Sequence, residues 1–123
     1  IIIKHPIRRY NLETMMRTTM DVTTLKAKFF RGFADPTRLA ILEALLEGEK
    51  SVGELAQATK ASSANVSAHL SCLTGCGLVR SEKRGKYVYY WVQERKIRDL
   101  LKIAEGILAN VSQQVYECTR YQR

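Results

Sequence analysis

The 123-residue sequence has no apolar run approaching the ~18 residues that a membrane-spanning helix needs. It also lacks the even number of cysteines that a framework of disulfide bonds needs, since it contains three. The opening apolar stretch, Ile1–Ile3, is too short for the core of a secretory signal. We therefore expect a cytoplasmic protein with reduced thiols and no membrane partner.

What the sequence does contain is an excess of basic side chains on an ordinary globular composition. Apolar residues make up 46% and charged residues 26%, and the length suits one domain whose core needs neither disulfide nor metal. Twenty Lys and Arg against twelve Asp and Glu give a net charge of +8. This balance favours binding to phosphate polyanions or anionic membranes, although a merely soluble basic protein would share it.

Local signals divide the sequence into a basic N-terminal arm, residues 1–20, and one domain, residues 21–123. Apolar residues recur at helical spacing from Asp21 onward, which predicts a first helix. Asp35 and Pro36 then mark a fresh start, because an aspartate caps a helix well and proline fits its first position.

The next two helices are short and lie close together in the sequence. The segment Ser51–Glu54 has the pattern of a capping box and opens a helix of about two turns. Ser62 or Ser63 then caps a further helix, which is predicted to end near Gly75. Two short helices joined by a tight turn match a helix-turn-helix.

Beyond residue 77 the composition changes from helix-forming to strand-forming. Leu78-Val79 and Tyr87–Val92 are rich in β-branched and aromatic residues, and the polar segment Ser81–Lys86 between them predicts a hairpin tip. A long helix follows from about Glu94, with one apolar stripe that is too long for a small domain to cover by itself. The stripe comprises Ile97, Leu100, Leu101, Ala104, Ile107, Leu108, Val111, Val115 and Cys118.

This order of elements predicts a mainly α fold with a small β wing, a winged helix-turn-helix. In such a module the second helix of the turn enters the major groove of DNA, and its N-terminal residues meet the base edges. The wing tip supplies cations for phosphates or the minor groove. Taken singly, serine caps and basic tips are usually solvated surface, but together on a basic chain they favour DNA binding. The candidate DNA-binding residues are Ser62, Ser63, Asn65, Ser67, His69, Lys83, Arg84 and Lys86.

Four stretches carry a resemblance to a known family. FADPTRLAIL at 33–42, NVSAHL at 65–70, GLV at 77–79 and RGKYVYY at 84–90 resemble the ArsR/SmtB family of dimeric repressors, with similarity over roughly residues 22–118. The resemblance implies a homodimer built from the first and last helices, operator DNA as partner, and an inducer that releases the DNA.

The three cysteines are candidates for binding that inducer. Cys72 and Cys76 are four residues apart, which places them on nearly the same face of a helix and about 6 Å apart along its axis. Cys118 falls on the predicted last helix. Three sulfurs without a companion histidine cluster favour a soft, thiophilic ion, whereas buried cysteines are often only core residues.

The family resemblance sharpens the choice of metal site. Its Cys-x-Cys motif corresponds here to Ser51 and Gly53, and the zinc site of its last helix needs histidine, which residues 94–118 lack. The stretch LSCLTGCGLV at 70–79 instead resembles the cadmium- and lead-sensing CmtR-type branch. That resemblance implies Cys72 and Cys76 as ligands, with a third, Cys118, taken from the other subunit. The expected inducer is Cd²⁺ or Pb²⁺, with As(III) or Hg²⁺ as further candidates.

Two other functions compete with metal sensing. The same repressor could respond to oxidation through a Cys72–Cys76 disulfide, since the helical separation falls near the permitted Cα range. An enzyme with a cysteine nucleophile is the third hypothesis, because His69 lies three residues before Cys72. No acidic orienting residue stands near that pair in the sequence and no phosphate loop is present, so we do not expect an enzyme.

Overall fold

The computed structural model describes residues 20–118, so the predicted arm at residues 1–20 lies outside the described residues apart from Met20. The helices of the described part are α1 (Val22–Arg31), α2 (Pro36–Leu46), α3 (Val52–Thr59), α4 (Ser63–Gly75) and α5 (Lys96–Glu117). The strands are β1 (Lys50–Ser51), β2 (Val79–Arg84) and β3 (Tyr87–Val92). This order confirms the predicted winged helix-turn-helix, in which α3 and α4 form the helix-turn-helix and the β2–β3 hairpin forms the wing.

The first four helices begin where the sequence predicts, because a side chain satisfies a free N–H group in each first turn. The capping residues are Asp21, Asp35, Ser51 and Ser62. At α3 the predicted capping box is complete: the Glu54 N–H donates to the Ser51 hydroxyl at 3.3 Å, and the Ser51 N–H donates to the Glu54 carboxylate at 2.9 Å. These caps fix where the helix-turn-helix starts.

One apolar core lies between α2, α3, α4 and the sheet. Its buried members are Phe33, Ile41, Leu42, Leu45, Leu55, Val66, Leu70, Leu73, Leu78, Val79 and Ile97. Val66, Leu70 and Leu73 are spaced by four and three residues, so they share one face of α4. Burying that face leaves the opposite face of the same helix to solvent.

The wing is longer and its tip shorter than the sequence predicts. The predicted tip, Ser81–Lys86, is wrong in extent, because residues 81–84 pair with β3 as part of β2 and only Gly85 and Lys86 form the turn. Gly85 has a φ of +63°, which suits a glycine at the first position of a two-residue hairpin turn. Pairing with the aromatic strand β3 overrides the weak strand propensity of these polar residues.

The sheet has a third strand that the sequence analysis did not predict. β1 comprises only Lys50 and Ser51, which lie opposite Tyr90 and Tyr89 of β3, so the strand order is β1-β3-β2. This short strand immediately precedes α3, and it therefore joins the wing to the start of the helix-turn-helix.

The predicted apolar stripe of α5 is exposed along most of its length. Ile107 is 59% exposed, and Leu108, Val111 and Val115 continue the exposed row, while Ile103, which the predicted stripe does not include, is 62% exposed. On α1, Phe29 and Phe30 are exposed as well. Among residues 20–118, no helix is long and apolar enough to cross a membrane.

The apolar spacing predicts that Cys118 lies on the last helix, and this is wrong, because Cys118 lies just after the helix. The α5 helix ends at Glu117, and Cys118 follows with φ −75° and ψ 108°, an extended conformation. Its N–H still donates to the Val115 carbonyl at 3.2 Å, so the residue caps the helix end. The apolar period continues to Cys118, but the helical backbone stops one residue earlier.

The first prediction concerns the core under the helix-turn-helix. Leu55 is fully buried, so we expect Leu55→Ala to lower the free energy of unfolding by about 2–5 kcal/mol through lost apolar contact and a cavity. Gln57→Ala, on the exposed face of the same helix, is the control and should change it by less than about 0.5 kcal/mol. Urea unfolding at one fixed protein concentration measures both. Equal effects of the two substitutions would contradict the assigned core.

Candidate nucleic-acid interface and thiol site

The N-terminal half of α4 presents short polar side chains to solvent. Ser63, Asn65 and Ser67 are exposed, as the predicted role in DNA binding requires. Ser62 is exposed too, but its hydroxyl is already in use, because it accepts a hydrogen bond from the Asn65 N–H at 3.1 Å. The four hydroxyl and amide side chains therefore divide into one helix cap and three groups available to a ligand.

His69 lies one turn after Asn65 on α4, but unlike these groups it is partly buried. Its side chain is 19% exposed, and its Nε2 lies 3.6 Å from Oδ2 of Asp35, the N-cap of α2. The pKa of Asp35 is lowered, first by the hydrogen bond from the Arg38 N–H at 3.0 Å and to a smaller extent by the nearby His69. The structure thus gives His69 an intramolecular partner, which joins the middle of α4 to the start of α2.

The three basic residues predicted at the wing tip differ in their surroundings. Lys83 and Lys86 are exposed, and Lys86 Nζ lies 5.4 Å from the centre of the Tyr87 ring. Within residues 20–118, neither lysine forms an ion pair with a carboxylate. Arg84 differs from both lysines, because its guanidinium contacts the carboxylates of Glu49 and Glu82, which raise its pKa.

Cys72 and Cys76 lie side by side at the C-terminal end of α4, and both are exposed. Cys76 caps the helix in a helical conformation, with its N–H donating to the Cys72 carbonyl at 3.0 Å, so the four-residue spacing is preserved past Gly75. The pKa of the Cys76 thiol is raised, first by the partial removal of this exposed thiol from water and then by the charge and hydrogen bond of the Cys72 thiol. The two sulfurs are therefore close enough to interact.

Two basic side chains from other helices act on the charge of the Cys76 thiol. Lys28 of α1 and Arg38 of α2 act against the rise in the Cys76 pKa, because a positive charge favours the thiolate. Arg38 is held in place by donating to the carbonyls of Gly32 at 3.1 Å and Arg31 at 3.0 Å. The pair thus lies where the ends of α1 and α4 and the start of α2 approach one another.

A single chain does not bring the three predicted sulfur ligands together. In the part of the chain from residue 20 to residue 118, no three His, Cys, Asp or Glu side chains are grouped closely enough to hold a metal ion. Cys118 is half-buried at the end of α5. The ligand assignment of Cys72, Cys76 and Cys118 remains a prediction, and it requires Cys118 to come from a second chain.

Comparison with known proteins identifies the family. Residues 35–81 match the model of the bacterial regulatory proteins of the ArsR family. A probable mercury resistance operon repressor of Streptomyces lividans is 39% identical over 94 residues, covering 76% of this chain and 75% of the relative. The regulator CmtR of Mycobacterium tuberculosis is 43% identical over 84 residues, covering 68% of this chain and 71% of CmtR. The chain belongs to the ArsR family of bacterial regulatory proteins.

Solved structures agree with this assignment. Rv0081 of M. tuberculosis has a TM-score of 0.70 at 36% identity, covering 79% of this chain and 99% of Rv0081. A homodimeric winged helix-turn-helix DNA-binding domain from Mycobacterium bovis has a TM-score of 0.64 at 25% identity, covering 83% of this chain and 95% of that domain. The NMR structure of CmtR, described as a cadmium metal sensor, has a TM-score of 0.56 at 41% identity, covering 66% of this chain and 85% of CmtR. These relatives are transcriptional regulators, so the prediction of a regulator that is not an enzyme is confirmed.

The second prediction tests the contact between the two thiols. Because Cys72 contributes to the raised pKa of Cys76, we expect Cys72→Ala to move the midpoint of Cys76 alkylation to lower pH. Burial, the largest cause, remains in the variant, so the midpoint should stay above that of a free thiol. Mass spectrometry of iodoacetamide-treated protein across a pH series measures the midpoint, with Ser71→Ala as control. An unchanged midpoint in Cys72→Ala would show that the thiols do not interact.

Proposed function

We propose that this protein is a homodimeric transcriptional repressor of the cytoplasm, which binds operator DNA when metal-free and releases it on binding a soft metal ion. The observation that carries the proposal is that α4 carries both sets of candidate residues. Exposed polar side chains lie on its N-terminal half and the exposed Cys72–Cys76 pair at its C-terminal end. A ligand held at one end of a helix constrains the orientation of the other.

The proposed dimer is supported by the uncovered apolar surface of α5 and α1. Exposed isoleucine, leucine and valine side chains form a row along α5, and a contiguous exposed apolar surface is typical of a protein–protein interface. A structural relative with the same fold is homodimeric. In a two-fold dimer that covers this row, two copies of α4 would read successive major grooves about 34 Å apart.

DNA binding is supported by charge and by side-chain chemistry. Lys83 and Lys86 lie at the end of the wing, where they can neutralise phosphates. Ser63, Asn65 and Ser67 can donate hydrogen bonds to and accept them from base edges. The net charge of +8 strengthens the attraction for any sequence.

The inducer we propose is one soft ion for each subunit, bound by Cys72 and Cys76 of one subunit and Cys118 of its partner. Thiolates prefer soft ions over hard ones, and a third sulfur from the partner would complete a site that residues 20–118 of one chain do not form. One relative is named for mercury resistance and another is described as a cadmium sensor. We place Cd²⁺ or Pb²⁺ first, because the stretch at 70–79 resembles the CmtR-type branch, and Hg²⁺ or As(III) next. DNA and metal must then weaken each other's binding by the same factor.

The third prediction separates base contacts from phosphate contacts. We expect Ser67→Ala to weaken binding to a selected operator by about 1 kcal/mol, the net worth of one hydrogen bond, and to leave random-sequence binding nearly unchanged. Lys83→Gln should weaken binding to both duplexes and reduce the log–log salt slope by about 0.9. Fluorescence anisotropy across a salt series measures both.

Ser71→Ala is the control for Ser67→Ala, because it makes the same change on the same helix one turn farther from its N-terminus. Equal loss of specific and random binding in Ser67→Ala would leave this serine only a positioning role on the DNA backbone. An unchanged salt slope in Lys83→Gln would remove the wing from the DNA interface.

The fourth prediction concerns the metal. Titration of reduced protein with Cd²⁺ should produce strong ultraviolet thiolate absorption that saturates at one ion for each subunit, and should release the operator, whereas Mg²⁺ should do neither. Cys72→Ser and Cys76→Ser should lose both responses. Affinity should fall as pH falls, because the thiols must lose their protons, one of them from the raised pKa of Cys76.

Two outcomes would contradict the metal assignment. Wild-type Cd²⁺ affinity in a Cys72→Ser/Cys76→Ser variant would place the ion elsewhere. Release of the operator by mild oxidation but by no metal, together with a loss of two mass units for each subunit, would favour the redox alternative.

A further inference from the structure

The end of the wing projects beyond the strand that joins it to the rest of the domain. β1 lies opposite only Tyr89 and Tyr90 of β3. Nearer the tip, at the pairs Lys83–Val88 and Arg84–Tyr87, only β2 and β3 are hydrogen-bonded to each other and no third strand of residues 20–118 lies beside them. A two-stranded hairpin without further support is marginally stable in water. The segment that carries Lys83 and Lys86 therefore needs another contact if it is to keep a fixed direction.

Arg84 makes that contact from the last position of β2. Its Nη2 donates to Oε2 of Glu49 at 3.1 Å while its Nη1 donates to the other oxygen of the same carboxylate. Its Nε donates to Oε1 of Glu82 at 2.9 Å, and its Cζ lies 5.2 Å from the centre of the Tyr89 ring. Because the strand order is β1-β3-β2, the side chain crosses β3 and joins β2 to the residue that precedes β1.

We propose that Arg84 is a positioning residue, which holds the wing at a fixed angle to the helix-turn-helix, and that it is not a phosphate contact. The part of this proposal that concerns DNA binding rests on the proposed function. Exposed ion pairs usually contribute little, but a two-pronged arginine–carboxylate pair with a third hydrogen bond and a ring contact is the favourable exception. To reach a phosphate, the guanidinium would have to leave two carboxylates.

The pair also explains how a carboxylate is accommodated beside a DNA-binding wing. Glu49 stands just before β1 and would repel the DNA backbone if it were unpaired. Because Arg84 is paired with both Glu49 and Glu82, this group carries no net positive charge, so the attraction for phosphate at the wing falls to Lys83 and Lys86. The sequence predicts that all three basic residues contact DNA. In this proposal Lys83 and Lys86 contact phosphate, whereas Arg84 orients the wing.

Glu49→Gln tests the proposal, because charge and geometry predict opposite results for it. Removing a carboxylate should tighten binding to a polyanion on charge alone, whereas loss of wing orientation should weaken it. We expect Glu49→Gln and Arg84→Gln each to weaken operator binding by about three- to fivefold. The double variant, whose net charge equals that of the wild type, should be no weaker than either single variant and should keep the wild-type salt slope. Glu47→Gln, an exposed glutamate two residues earlier, is the charge control and should not weaken binding.

A second measurement needs no DNA. In the free full-length protein, hydrogen exchange of the backbone amides in residues 83–88 should be several-fold faster in Glu49→Gln and in Arg84→Gln than in Glu47→Gln. Exchanging the charges in Glu49→Arg/Arg84→Glu should restore only part of the protection, because it re-forms the pair between positions 49 and 84 but places two carboxylates side by side at positions 82 and 84. If the wild-type protein failed to bind any duplex, the proposed function would fail while this measurement still tested the wing contact.

Two results would overturn the proposal. One is tighter DNA binding in Glu49→Gln together with a salt slope reduced by about 0.9 in Arg84→Gln, the pattern of a phosphate contact. The other is unchanged exchange of residues 83–88 in both single variants. Arg84→Lys distinguishes the roles further, since it keeps the charge but loses the two-pronged geometry. It should behave like Arg84→Gln in exchange if Arg84 acts by position.

Discussion

The packing of Val66, Leu70 and Leu73 holds one face of α4 in the apolar core. The proposed release of DNA on metal binding depends on this packing. A helix anchored along one face moves as a unit against α2 and α3, so it does not bend freely at either end. The polar groups near Ser63 and the thiols of Cys72 and Cys76 are thus coupled through one rigid element. A force applied at the sulfur end can change the angle at which the other end meets DNA.

The surroundings of α4 indicate how such a change would spread. His69 faces Asp35, the cap of α2, and Arg38 joins the same region to the end of α1 through backbone carbonyls. Any rotation of α4 therefore acts on contacts that belong to α1 and α2. In a dimer that uses the exposed faces of α1 and α5, these contacts connect the thiol pair to the subunit interface. Metal binding would then shift the equilibrium between dimer geometries, and the dimer geometry would in turn change the metal affinity.

Much of this fold could be predicted from local sequence, and the rest depends on contacts between distant residues. Asp35 and Ser51 mark helix starts because a cap is a signal contained within four residues. The extent of β2 could not be predicted in this way, since its polar residues become a strand only by pairing with β3. The ion pair of Arg84 with Glu49 could not be predicted from local sequence either, because Glu49 lies 35 residues earlier. Cys118 follows the apolar period of α5, yet the helix ends before it.

The central claim, that one metal site is shared between two subunits, can be tested with a mixed dimer. One subunit carries Cys118→Ser and the other carries Cys72→Ser/Cys76→Ser, with different affinity tags so that the heterodimer can be purified. A shared site leaves one complete set of three sulfurs in this heterodimer. We predict one tightly bound Cd²⁺ for each heterodimer, with wild-type thiolate absorption per ion. No tightly bound Cd²⁺ in the heterodimer, while the wild-type dimer binds two, would contradict the claim and assign all three sulfurs to one chain.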